Sequence, residues 1–216
     1  MADPDDLGPE QRLAAHAAAD LVRDGDCVGL GTGSTVAQLL PPLAARGLDL
    51  RCVATSPATE QAAVALGLTV EPFTRVGAID IAIDGADQTA PDGWLVKGGG
   101  GAHRREKIVA QAARRFVVIA DSSKPVARLA PPIPLELSAS GLGATLVVLG
   151  DAELRDAPPS PDGGVIADYR GPVDDPATVA AWLDGIPGVV AHGLFAPQLV
   201  SDVLIARGGE LEHRRS

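Results

Sequence analysis

Short apolar runs alternating with segments of helical period constrain this chain more than any other feature. Cys27–Gly31, Leu50–Thr55, Leu68–Val70, Ile79–Ile83, Trp94–Val96 and Phe116–Ala120 read as strands. Between them, residues 10–23, Val36–Ala45, Pro57–Leu66 and about Arg104–Arg114 carry apolar residues at helical spacing. Local signals agree: Asp24-Gly25-Asp26 closes the first helix as a turn, Ser34 or Thr35 is placed to cap the second, and Pro57 suits the first turn of the third. Strands that are apolar almost throughout cannot leave one face in water. The alternation therefore predicts an α/β fold with a parallel sheet covered by helices on both sides. With aromatic residues at only 3%, the core has to be built from Ala, Val, Leu and Ile.

The pattern changes after Pro131-Pro132-Ile133-Pro134. Strands are expected at Leu135–Leu137, Val165–Tyr169, Val189–Ala191 and Val203–Ala206, helices near Leu142–Leu149 and at Pro176–Leu183, with a Pro/Asp/Gly turn at Pro158–Gly164. This reads as a small α+β domain. Residues 1–130 form the expected first domain, completed by 205–216, and 131–204 the second, an economy that suits 216 residues.

Charge narrows the partners. A net charge of −10 and a pI near 4.7 argue against nucleic acid and against an anionic membrane surface, both of which call for a clustered basic face. Any bound anion must be small and held locally. Cys27 and Cys52 lie inside apolar runs and read as buried thiols, which suits a reducing cytoplasm. Met1-Ala-Asp-Pro-Asp-Asp6 has no apolar signal core, and no run approaches the ~18 apolar residues of a membrane span, so a cytoplasmic location is expected. His16, His103, His192 and His213 show no metal-ligand spacing, and no metal is expected.

Chemistry concentrates in the loops, each of which follows the carboxyl end of a strand, the edge where open parallel sheets bind ligands. Lys97 precedes the four glycines Gly98–Gly101, and Glu106 follows at the start of a helix. Glycines let the backbone approach a ligand, so amides and two ionisable side chains can converge there. Gly29-Leu-Gly31-Thr-Gly33-Ser-Thr35 resembles a dinucleotide loop, but Ser34 stands where the third glycine belongs, and Thr55-Ser56 stands where the acidic residue belongs. A phosphate cradle from hydroxyls and helix-start amides fits Thr32–Thr35 better. No Gly-Lys-Ser/Thr follows either glycine cluster, which excludes a Walker loop. Asp84-Gly-Ala-Asp87 sets two carboxylates just past an apolar strand, although Asp-Gly-x-Asp is also an ordinary turn. Glu106 taken alone also reads as an exposed helix-start residue, and Lys124 after Asp121-Ser-Ser is ambiguous. Arg104, Arg105 and Lys107 are expected to be solvated. Together the groups suit proton transfer on a phosphorylated sugar, with a carboxylate base, a lysine for developing oxyanion charge, acids for hydroxyls and a phosphate anchor expected in one crevice.

At this level of detail the chain resembles the A-type ribose-5-phosphate isomerases. The match runs in order through Gly29–Thr35, Ala54-Thr-Ser-Pro-Ala-Thr-Glu60, Asp84–Asp87, Lys97–Gly100, Arg105-Glu-Lys107, Ala120-Asp-Ser-Ser-Lys124, Ile186-Pro-Gly-Val-Val190 and Gly193-Leu-Phe195. The resemblance implies a Rossmann-like parallel-sheet domain with a smaller α+β domain, assembled as a homodimer or homotetramer. It implies interconversion of D-ribose 5-phosphate and D-ribulose 5-phosphate in the non-oxidative pentose phosphate pathway, without a cofactor. Glu106 would be the base, with Lys97, Asp84 and Asp87 as its catalytic partners. Thr32, Gly33, Ser34, Thr35, Gly85, Ala86, Gly98, Gly99, Gly100 and Lys124 would bind substrate. The chain departs from the family's usual pattern at Gln88, where Glu is usual, at Gly101-Ala-His-Arg104, and at Gln11-Arg12, where relatives carry lysines that can help with phosphate. Pro161-Asp-Gly-Gly164 and Ala196-Pro-Gln-Leu199 depart as well. The alternative from another class is a non-catalytic sugar-phosphate sensor of related fold. Retention of Lys97, Glu106, Asp84 and Asp87 together, with no basic DNA-binding segment, favours the enzyme.

Overall fold

The structure is a computed structural model that describes residues 7–215, so the acidic Met1–Asp6 stretch lies outside the described residues. The chain divides into two compact units. The first takes the chain through Gly85, then Ile108–Lys124, then the segment from Gln198 onward, and the second takes Ala86–Lys107 and Pro125–Pro197.

The first unit is a seven-stranded sheet in the order β14-β13-β7-β4-β1-β2-β3. Its strands are β1 Cys27–Leu30, β2 Arg51–Ala54, β3 Thr69–Val70, β4 Ile79–Gly85, β7 Ala113–Ala120, β13 Asp202–Arg207 and β14 Glu210–Arg215. All neighbours pair in parallel except β13 and β14. Helices α1 Gly8–Ala19, α2 Ser34–Ala45 and α3 Pro57–Ala65 belong to this unit, together with the short 3-10 turn Phe73–Arg75. Val28, Leu30, Ile81, Ile83, Val117, Ile119 and Leu204 of the sheet share one core with Leu39, Leu40 and Leu43 of α2. Burying each such side chain is worth about 1.5–3 kcal/mol. The alanines Ala14, Ala15, Ala18 and Ala19 of α1 are fully inside that core, where their small size lets α1 lie close against its neighbours.

The second unit holds a four-stranded antiparallel sheet in the order β11-β8-β10-β9 and a three-stranded one in the order β12-β6-β5. The strands are β5 Gln88–Thr89, β6 Leu95–Val96, β8 Ile133–Leu137, β9 Ala152–Leu154, β10 Val165–Tyr169, β11 Val189–His192 and β12 Leu194–Phe195. Helices α5 Leu142–Leu149 and α6 Pro176–Asp184 complete it, and Ile133, Leu135, Leu137, Ala167, Leu183 and Leu194 form its core. Helix α4, His103–Ala112, begins in this unit and ends in the first, where it runs directly into β7.

Three expectations change. The division is not one cut near residue 130, because Ala86–Lys107 belongs to the second unit and the returning segment begins at Gln198. The strand expected at Trp94–Val96 pairs with β5 and β12 in the small antiparallel sheet, not in the parallel one. A two-residue apolar run carries no information about its partner. The second helix is entered through Gly33 at φ 114°, with no side-chain cap, so neither Ser34 nor Thr35 is the N-cap. A turn that tight needs a positive φ, which glycine takes without a Cβ clash. β14 carries no apolar pattern in the sequence because its residues are almost all exposed, as suits a charged edge strand.

Candidate active site

In the first unit, β1, β4 and β7 are adjacent and parallel, so their carboxyl ends open on one sheet edge. Asp84 lies at the end of β4 and is buried. Its Oδ1 accepts the Thr32 N–H at 3.1 Å and the Gly85 N–H at 2.7 Å. A Cβ on Gly31 would come within 2.0 Å of that carboxyl group, so only glycine leaves room for Asp84 beside the turn after β1. The hydroxyls of Thr32 and Thr55 meet at 2.7 Å, and Thr59 donates to the Gly31 carbonyl at 2.9 Å. The turn is thus anchored from below while Gly33 and Ser34 stay exposed at the start of α2, with Thr35 buried behind them. Amides at a helix start are a ready anion site.

After β7, Asp121 is fully buried and accepts from the Ser123 N–H at 3.0 Å and from Gln11 Nε2 at 2.9 Å. Burial pushes its carboxyl up, but these hydrogen bonds and the Ser123 hydroxyl outweigh that and hold it below the usual range. Glu10 accepts the Ser122 N–H and the Gly208 N–H, each at 2.8 Å. Glu10 and Gln11 therefore hold the loop that carries Lys124, while Arg12 is exposed. This clasp has no local signature in the sequence, since it joins residues about a hundred positions apart.

The second unit brings together the rest. Lys97 follows β6 and Glu106 sits in the first turn of α4; both are buried, 2% and 4% exposed, with Nζ 3.1 Å from Oε2. The Lys97 N–H donates to the Gly193 carbonyl at 2.9 Å, and a Cβ on Gly193 would strike the Lys97 carbonyl, so this strand crossing requires glycine. The Phe195 ring lies 5.5 Å from Lys97 Nζ and 5.2 Å from Lys107 Nζ, a contact that favours both cations. Gly98 takes φ 111°, and a Cβ there would meet the His103 ring at 2.7 Å. Gly99 and Gly100 are exposed, and the Gly99 N–H donates to Asp87 Oδ2 at 2.8 Å. Ala86 is buried beside Asp87, whose own N–H is fixed on the Val96 carbonyl at 2.8 Å. Gln88 faces away from these groups: its amide donates to the Ala130 carbonyl and accepts the Ala130 N–H, each at 2.8 Å. A glutamate there would keep only one of the two bonds in its ionised form.

Solvation of the basic residues around Glu106 is overturned. Arg104 pairs with the buried Glu136 at 3.2 Å, and Arg105 pairs with Asp162 at 2.8 Å and donates to the Pro161 carbonyl. Lys107 lies largely inside, 3.4 Å from His192 Nδ1, and burial lowers its pKa to about 8. His192 Nδ1 accepts the Leu194 N–H at 3.2 Å, which places its proton on Nε2, 3.1 Å from Asp184. Burial first, and the Lys107 charge second, push His192 below its ordinary range and His103 down to about 3.

Those two histidines predict an acid sensitivity. From pH 6.5 downward the unfolded chain takes up protons that the folded chain refuses until about pH 4 at His192 and about pH 3 at His103, so stability falls as pH drops through that window. The expected result is a thermal midpoint that declines from pH 6.5 to pH 4, with a shallower decline in His103→Gln. Identical slopes for the two proteins would contradict it.

Cys27 and Cys52 are free and buried, as expected. Among the described residues no cluster of three metal-ligating side chains occurs, and no helix is long and apolar enough to cross a membrane.

Comparison with known proteins places this arrangement among relatives. Residues 51–210 match the family described as ribose 5-phosphate isomerase A (phosphoriboisomerase A). A ribose-5-phosphate isomerase A of Gluconobacter oxydans is 41% identical over 96% of this chain and 97% of its own length. A crystal structure of ribose 5-phosphate isomerase A from Neisseria gonorrhoeae superposes with a TM-score of 0.92 at 32% identity, covering 100% of this chain and 98% of that one. A D-ribose-5-phosphate isomerase in complex with phospho-erythronic acid superposes with a TM-score of 0.91 at 32% identity, over 97% and 99% of the two chains.

Proposed function

The chain belongs to the ribose 5-phosphate isomerase A family, and we propose that its Glu106 is the base that interconverts D-ribose 5-phosphate and D-ribulose 5-phosphate. The observation that carries this reading is the buried Lys97–Glu106 pair beside a glycine loop. A sensor has no use for a proton acceptor kept from water next to a fixed cation, and nothing favours that alternative.

Glu106 takes the proton from C2 of the open-chain aldose, and the C1 carbonyl oxygen gains the charge of an enediolate. Lys97 Nζ stabilises that charge in a site of low polarity, where a cation is worth more than in water. The same carboxyl returns its proton to C1, while the O2 hydroxyl proton passes to O1, so substrate and product are isomers. Asp84 and Asp87 hold hydroxyls and assist ring opening and the transfer between oxygens. Gly85, Ala86 and Gly98–Gly100 contribute backbone to the sugar site. Thr32–Thr35 and Lys124 take the phosphate, the hydroxyls and helix-start amides supplying neutral donors and Lys124 a point charge.

Turnover of ribose 5-phosphate in excess EDTA is the expected result, and any deuterium from D2O that appears at the exchanging carbon identifies proton transfer through a base. Absence of turnover by folded protein would sink the reading. Lys124→Met is expected to raise KM about tenfold with little change in kcat, because a uniform phosphate contact stabilises ground state and transition state alike. A loss confined to kcat would remove Lys124 from the phosphate.

A cytoplasmic location and a homodimer or homotetramer belong to the same reading, with no nucleic-acid or membrane partner. Exposed Val147 (82%) and Val148 (60%) on α5 support assembly, which sedimentation measures directly.

A further inference from the structure

Arg155 follows β9, and its guanidinium holds four acceptors at once. Nε donates to Asp168 Oδ2 at 3.0 Å and Nη2 to Asp168 Oδ1, while Nη1 donates to the Gly98 carbonyl at 3.1 Å and to the Gly99 carbonyl at 3.0 Å. The scaffold beneath is firm. Asp168 stands in the middle of the four-stranded sheet on β10, paired with Glu153 and Pro134, and the Arg155 N–H donates to the Ile166 carbonyl at 3.0 Å. Both side chains are mostly buried, at 22% and 13% exposure.

Such a clamp on two successive carbonyls has a geometric consequence. Among the described residues the Pro131–Pro132 bond is the one cis peptide, so the Gly98–Gly99 and Gly99–Gly100 peptides are trans. In a trans peptide the N–H points opposite to the C=O. With both carbonyls drawn to one guanidinium nitrogen, the Gly99 and Gly100 N–H groups are turned away from Arg155. The Gly99 N–H ends on Asp87 Oδ2 at 2.8 Å, so a single peptide joins the Arg155 cation on one side to the Asp87 carboxylate on the other. A cation on the carbonyl polarises the peptide and strengthens the bond made by its N–H. Within the loop itself the Gly101 N–H donates to the Gly98 carbonyl at 3.0 Å, but among the described residues no such turn bond reaches the Gly99 carbonyl, and glycines carry no side chains to pack.

We propose that Arg155, anchored by Asp168, is a positioning residue of the isomerase: it fixes the Gly98–Gly100 loop and, through the Gly98–Gly99 peptide, the carboxylate of Asp87. This rests on the reading of Asp87 as part of the sugar site. It also accounts for an arginine at this position, because lysine offers one ammonium and no planar fork, and cannot grip a carboxylate and two carbonyls together.

The test is a double-mutant cycle in ribose 5-phosphate turnover with wild-type protein, Arg155→Met, Asp87→Asn and the double variant. Arg155→Met is expected to lower kcat/KM by about 10-fold to 100-fold, the scale on which misplacing a substrate-contacting group acts. In the Asp87→Asn background the same substitution is expected to cost about threefold or less, because the group it positions is already disabled. A purely structural arginine would cost the same factor in both backgrounds, and that additive result overturns the proposal. So does an Arg155→Met protein with wild-type turnover. Should the methionine variant fail to fold, Arg155→Lys enters the same cycle with the same two criteria. Wild-type protein that does not turn over sinks the isomerase reading and this inference with it, whereas active wild type with a fully active Asp87→Asn variant overturns this inference alone.

Discussion

Glu106→Gln is expected to lower kcat for ribose 5-phosphate isomerisation by about 10²–10⁴-fold, the usual contribution of a positioned general base. The substitution keeps the shape of a side chain that is 4% exposed and replaces a proton acceptor by an amide that cannot take the C2 proton. Packing is preserved, so KM is expected to move much less than kcat. The change also leaves the Lys97 ammonium, 2% exposed and 3.1 Å away, facing a neutral group, which makes some loss of thermal stability expected as well. The two effects separate cleanly: kcat is read well below the thermal midpoint, and circular dichroism reports the folded fraction. A folded Glu106→Gln protein within threefold of wild-type kcat would show that another group removes the proton.

Lys97→Met is expected to cost about 10²–10³-fold in kcat, the scale of losing one oxyanion-stabilising donor. Methionine approximates the length of lysine and suits the contact with Phe195, so the variant removes the charge more than the volume. The cation acts on charge that develops at the substrate oxygens only as C2 gives up its proton, and the loss should therefore fall on kcat in preference to KM. Binding of ribose 5-phosphate provides an independent readout: its Kd should change little in the variant, and a weakening as large as the loss in kcat would assign Lys97 to general binding. Combined with Glu106→Gln, the second substitution should cost far less than it does alone, since the two groups serve one proton transfer.

Some of this protein could be read from the order of its residues. α5 occupies Leu142–Leu149 and β10 occupies Val165–Tyr169, the ranges that apolar periodicity alone indicates. The candidate site was legible where chemistry left a local mark, as at Lys97 before its glycines and at Asp84 after an apolar strand. Such signals are local because hydrogen-bonding period, side-chain alternation and positive-φ turns act over a few residues.

The partners of charged side chains were not legible. Arg104, Arg105 and Lys107 look like a solvated face in the sequence, yet Glu136, Asp162 and His192 reach them from 32, 57 and 85 residues away. Arg155 gave no sign of its grip on Gly98 and Gly99, and the two-residue strand β6 gave none of belonging to the smaller unit. The sequence by itself determined the strand–helix alternation, the mainly aliphatic core and the residue types of the chemistry, because each follows from short-range periodicity and side-chain identity. Only the tertiary structure decided which charges are buried together and how the glycine loop is held, because those depend on desolvation and on contacts between segments that the chain joins only after folding.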